Sequence, residues 1–170
     1  VAGVVLSNPD RILYPEQGVT KRQLALFYEQ IADWVLPYVV QRPLTLVRCP
    51  QGRHKECFYQ KHLEEALPKT MRGVPIKEKE GRDIYIAIDD LAGLISLVQL
   101  GVLEIHPWGA RDDNVERPDM IVFDLDPGPD VEWPAIVQGA RLLHEKLNEL
   151  GLENFLKTTG GKGLHVVAPL

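Results

Sequence analysis

Only two cysteines, Cys49 and Cys57, occur among these 170 residues. Their spacing, even with His54 and His62 nearby, fits neither a Cys-x-x-Cys knuckle nor a zinc finger, so two free thiols are expected rather than a metal site. No apolar run approaches the roughly 18–20 residues that a bilayer-spanning helix needs, and the first residues lack the basic segment and apolar core of a signal peptide. A membrane role is therefore not expected, and a cytoplasmic location is. Repeats and low-complexity stretches are also missing. An excess of positive charge is absent too: the formal net charge is −5. That sum does not exclude nucleic acid, because binding follows the local field rather than the total.

The charge that is present is unevenly distributed. Arg11, Lys21, Arg22, Arg42, Arg48, Arg53, Lys55, Lys61, Lys69 and Arg72 fall in the first half, whereas Asp112, Asp113, Glu116, Asp119, Asp124, Asp126, Asp130 and Glu132 crowd a short later segment. One molecule can thus offer a basic track and an acidic centre suited to cations.

Apolar spacing outlines the elements. Thr20-Lys21-Arg22-Gln23 has the form of a capping box, and Leu24, Phe27, Tyr28, Ile31 and Val35 recur at helical spacing as far as Pro37. Strands are expected at 44–48, 57–60, 83–88 and 102–106, with a helix between the last two that starts at Asp89 or Asp90 and stops before Gly101. Ile136, Ala140, Leu143, Leu147 and Leu150 form one stripe over 131–150, with Pro134 early and Gly151 after it. Two more strands, at 154–158 and 164–168, flank a glycine-rich turn. The order strand, helix, strand, turn, strand predicts an α/β fold with a mixed, partly antiparallel sheet flanked by helices. The apolar strand closing at Leu170 leads us to expect a domain cut short at its C-terminal end.

Chemistry concentrates at two places. Asp124-Leu125-Asp126 ends the apolar run Met120-Ile121-Val122-Phe123, and alternation along a strand puts both carboxylates on one face with Phe123 and Leu125 behind. Two such carboxylates suit a hard divalent cation, Mg²⁺ or Mn²⁺. A haloacid-dehalogenase-like phosphatase would want Thr or Val two residues past the second Asp, where this chain has Gly128. Gly160-Gly161-Lys162-Gly163 is not a P-loop, since Gly163 stands where Ser or Thr should follow the lysine. Its backbone N–H groups and Lys162 can still approach a phosphate, with His165 just beyond. His106 ends the preceding strand and is expected near the two carboxylates. Phe58 and Tyr59, inside the basic stretch, offer ring faces on which a base can stack.

Six segments in order carry a resemblance: Asn8-Pro9-Asp10-Arg11-Ile12-Leu13-Tyr14-Pro15, Gly18-Val19-Thr20-Lys21, Phe58-Tyr59-Gln60-Lys61-His62, His106-Pro107-Trp108-Gly109, Asp124-Leu125-Asp126-Pro127-Gly128 and the turn from Gly160 to His165. From Leu6 to Leu170 the chain resembles the N-terminal part of the polymerase domain of end-joining DNA ligase D (LigD), a branch of the archaeo-eukaryotic primase superfamily. The resemblance implies that residues 1–170 are part of one such domain, with a primase-like catalytic core. It implies template-dependent nucleotidyl transfer at DNA gaps and ends in double-strand break repair by non-homologous end joining. It further implies Asp124 and Asp126 as catalytic, metal-binding carboxylates for Mn²⁺ or Mg²⁺. Thr159, Lys162 and His165 would bind the triphosphate, His106 the sugar and Phe58 the base, with either NTP or dNTP as substrate. Arg11 and Lys21 would grip the 5′-phosphate of the downstream strand. Implied partners are gapped or 3′-overhanging DNA, a ligase domain and a Ku-type end-binding protein. The family's third metal-binding Asp lies well beyond the glycine turn, so the alternative expectation is a non-catalytic module that binds DNA ends through their 5′-phosphate.

Overall fold

Thr20 starts the first helix as its capping box requires: its hydroxyl accepts from the Gln23 N–H, and the Gln23 side chain accepts from the Thr20 N–H. The computed structural model, which describes residues 1–63, 68–78 and 81–170, divides into two compact units, Val1–Val115 and Glu116–Leu170. The first holds β1 (Ile12–Tyr14), β2 (Val19–Thr20), α1 (Lys21–Gln30), α2 (Ala32–Val39), β3 (Leu44–Arg48), β4 (Phe58–Gln60), β5 (Met71–Glu78), β6 (Gly81–Ile88), α3 (Leu91–Gln99) and β7 (Val102–Pro107). The second holds β8 (Met120–Leu125), α4 (Trp133–Glu149), β9 (Phe155–Thr158) and β10 (Leu164–Pro169). Among the described residues no helix is long and apolar enough to cross a membrane.

The single helix expected to run to Pro37 is two. Ile31 leaves helical geometry (φ −99°, ψ 11°), accepts from the Trp34 and Val35 N–H groups, and so starts a second helix. With the ladder restarted there, Pro37 lies in the second turn of α2 and forgoes only the bond to the carbonyl of exposed Asp33.

In the first unit β3 is central, paired with β7 along one edge and with β4 and the end of β6 along the other, while β6 continues to β5. Leu44, Leu46, Ile86 and Ile88 are fully buried from one face of this sheet against Leu94 and Leu97 of α3. Strand β5 escapes the periodicity because Gly73 and Pro75 interrupt it; it lies at the end of the strand order, where a proline without an N–H is tolerated. The hairpin register sets Arg48 opposite Phe58. The next residues outward, Cys49 and Cys57, are therefore brought together, and they form a disulfide rather than the two free thiols expected. Sequence spacing alone does not carry that register.

In the second unit β10 lies between β8 and β9, antiparallel to both. Strands β8 and β9 thus run in the same direction, as a strand–helix–strand unit should, but β10 separates them and takes both sets of hydrogen bonds. Every strand pairing among the described residues is antiparallel. The α/β architecture is as expected, and its antiparallel share is larger than expected. The stripe on α4 buries Ile136, Ala140 and Leu147 against Leu164, Val166 and Ala168 of β10, with Phe123 and Leu125 packed beside them.

Candidate functional site

Because Phe123 and Leu125 point into the α4 core, Asp124 faces the other way, onto the face that α4 leaves open. The register places His165 directly opposite Asp124, and Lys157 of β9 opposite His165, so that a carboxylate, an imidazole and an ammonium form one row across the open face. His165 Nε2 lies 3.3 Å from Asp124 Oδ1, with the imidazole 22% and the carboxylate 58% exposed. His165 Nδ1 is buried and finds no hydrogen-bond partner.

Asp126 follows the last register pair, Leu125 with Leu164, and so comes opposite Gly163. A methyl group at Gly163 would sit 2.7 Å from Asp126 Oδ1 and 3.0 Å from the Leu125 carbonyl, so the carboxylate can hold this position only beside a residue as small as glycine and would have to turn aside for a larger one. The turn itself is tied by Thr159, whose hydroxyl donates to the Gly163 carbonyl and accepts from the Gly161 N–H, both at 3.2 Å. Gly160 supplies the positive φ of 79° that reverses the chain. Lys162 is exposed at the tip. Asp124, Asp126, Thr159, Lys162 and His165 are thus brought together within the second unit. The donor set, two exposed carboxylates at a strand end, fits a hard cation that keeps open positions. Among the described residues no group of three or more His, Cys, Asp or Glu side chains is arranged to hold a metal.

The remaining predicted residues belong to the first unit. On the face of its sheet opposite the α3 core, the register aligns Tyr59 with Val47 and Glu104, and His106 with Thr45. His106 Nε2 lies 2.9 Å from Glu104 Oε2. Tyr59 is 76% exposed and, with Thr45, Gln60, Lys61 and His62, lines a pocket of about 350 Å³. Lys61 Nζ donates to the Tyr85 hydroxyl. Phe58, one residue earlier, points to the other face, where the Arg48 guanidinium lies 5.2 Å from its ring centre. Strand alternation thus gives Tyr59, rather than Phe58, the face that His106 occupies. At three residues β4 is too short for periodicity to assign the faces of these adjacent rings.

Several cations of the basic first half hold the fold. Lys21 is 4% exposed, and its ammonium donates to the Ser7 and Gln99 carbonyls at 3.0 and 3.1 Å. Burial first, and then the nearby positive charge of Arg11, holds its pKa below the usual lysine value. Arg42 and Arg48 donate to the Trp108 and Leu100 carbonyls, and Arg72 pairs with Asp89 and Asp112. Arg11 is exposed and donates to the Pro50 carbonyl at 2.7 Å.

Comparison with known proteins adds family membership to this geometry. Residues 20–170 match the family model described as "LigD, primase-polymerase domain". The chain is 39% identical over 99% of its length to the multifunctional non-homologous end joining protein LigD of Pseudomonas aeruginosa, and 36% identical over 98% to that of Mycolicibacterium smegmatis. It spans about a fifth of those proteins, 20% and 22% respectively. Among solved structures, the polymerase domain of Mycobacterium tuberculosis ligase D in complex with DNA matches the whole chain over 62% of its own, with a TM-score of 0.86 and 30% identity. The chain belongs to the LigD primase-polymerase domain family.

Proposed function

We propose that this chain carries out template-dependent nucleotidyl transfer at DNA gaps and ends, gripping the downstream 5′-phosphate, as the polymerase part of a non-homologous end-joining system. The observation that carries the reading is the arrangement of Asp124, Asp126 and His165 beside the glycine-rich turn, with Gly163 packed against the Asp126 carboxylate. Asp124 and Asp126 would hold Mn²⁺ or Mg²⁺, which when bound offsets the triphosphate charge and acidifies the attacking 3′-hydroxyl. The chain's own contribution is positional. Thr159 keeps the turn in shape, and its backbone N–H groups, Lys162 and His165 are suited to the anionic triphosphate. Tyr59 or Phe58 stacks on a base, and His106 contacts the sugar of an NTP or dNTP.

Arg11 offers the exposed charge for a 5′-phosphate. Lys21, buried behind two carbonyl oxygens, acts through its field: burial is the main cause of its lowered pKa, and an anion at Arg11 relieves the smaller like-charge repulsion that adds to it. The relative of known structure is described in complex with DNA, which supports gapped or overhanging DNA as the partner here. A ligase domain and a Ku-type protein complete the proposed setting, which we place in the cytoplasm, with both units belonging to one polymerase domain.

A second reading, a non-catalytic module that binds 5′-phosphate ends, is favoured by the exposed guanidinium of Arg11, anchored on the Pro50 carbonyl. Primer extension on a gapped duplex with Mn²⁺ and ribonucleotides separates the two. Incorporation that Asp124→Ala abolishes supports the polymerase. No incorporation, together with tighter binding to gaps that carry a 5′-phosphate, favours the binding module.

A further inference from the structure

The loop from Cys49 to Cys57 is closed by a disulfide, and its contacts with the chain's first strand surround Arg11. The Arg53 N–H donates to the Leu13 carbonyl at 3.0 Å, and Arg11 donates to the Pro50 carbonyl at 2.7 Å. Gly52, at φ +98°, comes so close that a methyl group there would lie 2.9 Å from the Ile12 carbonyl. Arg53 and His54 both approach Glu16. At its other end the loop leads straight into Phe58. The two sulfurs are not equivalent, since Cys49 is 2% exposed whereas Cys57 is on the surface.

We propose that the Cys49–Cys57 disulfide is a redox-sensitive clamp that sets how firmly Arg11 is held for an anion, so that its reduction weakens recognition of a 5′-phosphate. The inference rests on the 5′-phosphate reading above. The thiolate of a dithiol attacks the accessible Cys57 sulfur. The S–S bond breaks, and Cys49 leaves as a thiolate that takes up a proton. The second thiolate of the reductant then attacks its own sulfur in the mixed disulfide, releasing Cys57 and a cyclic disulfide, so that two electrons pass from the dithiol to the protein. Exchange with a small-molecule disulfide runs the sequence backwards and closes the clamp. Disulfides that form in reducing compartments are mostly transient and redox-sensing, which is the behaviour expected of a pair with one exposed sulfur.

The test is fluorescence anisotropy on a gapped duplex with and without the 5′-phosphate, using protein in the disulfide form, the same protein after dithiothreitol, and the Cys49→Ser/Cys57→Ser double variant. Reduction is expected to lower the preference for the 5′-phosphate on the order of fivefold, the size of one weakened charge-assisted contact. The double variant should sit at the reduced value with or without dithiothreitol. Amide exchange at Arg53, which needs no variant and no DNA, should speed up on reduction. A preference that is present and unchanged by reduction overturns the clamp and leaves the 5′-phosphate reading intact. No preference even in the disulfide form overturns both. Two alkylatable thiols in protein exposed to oxidised glutathione overturn the clamp alone.

Discussion

Lys21 in the first unit begins a helix and Asp124 in the second lies within a strand; Lys21 is buried with its ammonium on two main-chain carbonyls, while Asp124 stands in solvent beside His165. The first unit uses Lys21 to tie its N-terminal segment and α1 to the end of α3, and Arg42, Arg48 and Arg72 to fasten neighbouring segments to a sheet whose core face is closed by α3. The second has a three-stranded sheet with α4 on one face, and on the other it leaves a carboxylate, an imidazole and an ammonium in a row. These four cations of the first unit serve the fold, whereas Asp124, His165 and Lys157 lie on a face that no helix covers. A count of lysines and arginines therefore overstates the basic surface.

That contrast can be broken by substitution. Leu46→Ala removes a fully buried side chain from the first core and should cost about 2–5 kcal/mol in denaturant unfolding. Leu142→Ala, on the exposed side of α4, should stay within about 0.5 kcal/mol; equal losses would show that the first unit is no better closed than the surface of the second. Lys21→Met takes a charged donor away from the Ser7 and Gln99 carbonyls, an expected loss of about 1–3 kcal/mol at neutral pH. Between the lowered lysine pKa and its ordinary 10.5 the unfolded chain binds the proton more tightly, so the stability of wild type relative to Lys21→Met should rise with pH across that window. A flat or falling difference would mean that the ammonium is solvated.

In the second unit, Gly163→Ala should turn the Asp126 carboxylate aside at a cost of no more than about 1 kcal/mol, and should weaken Mn²⁺ binding measured by calorimetry. Gly161→Ala, where a methyl group meets nothing closer than 3.6 Å, is the control and should change neither. Of similar size is Thr20→Ala, which opens the capping box for about 1 kcal/mol, readable as a shift in the thermal midpoint.

Local chemistry made much of this legible. Thr20 with Gln23 announced a helix start, Asp90 capped α3, and the alternation of Phe123, Asp124 and Leu125 put the carboxylate on the face away from the core. Where local signals were weak or contradicted by context, the reading failed: Pro37 stands inside a helix because the ladder restarts at Ile31, and β5 tolerates Gly73 and Pro75 because it needs hydrogen bonds from β6 alone.

By itself the sequence determined the α/β class, the face on which Asp124 lies and the family whose motifs the chain carries, since these depend on residue order and on periods of two and 3.6. Tertiary structure decided what depends on strands far apart in sequence. It set His165 opposite Asp124, gave Tyr59 the face of His106, joined Cys49 to Cys57 and withdrew Lys21 from solvent. Register and burial are properties of pairs of segments, and no single segment encodes its partner.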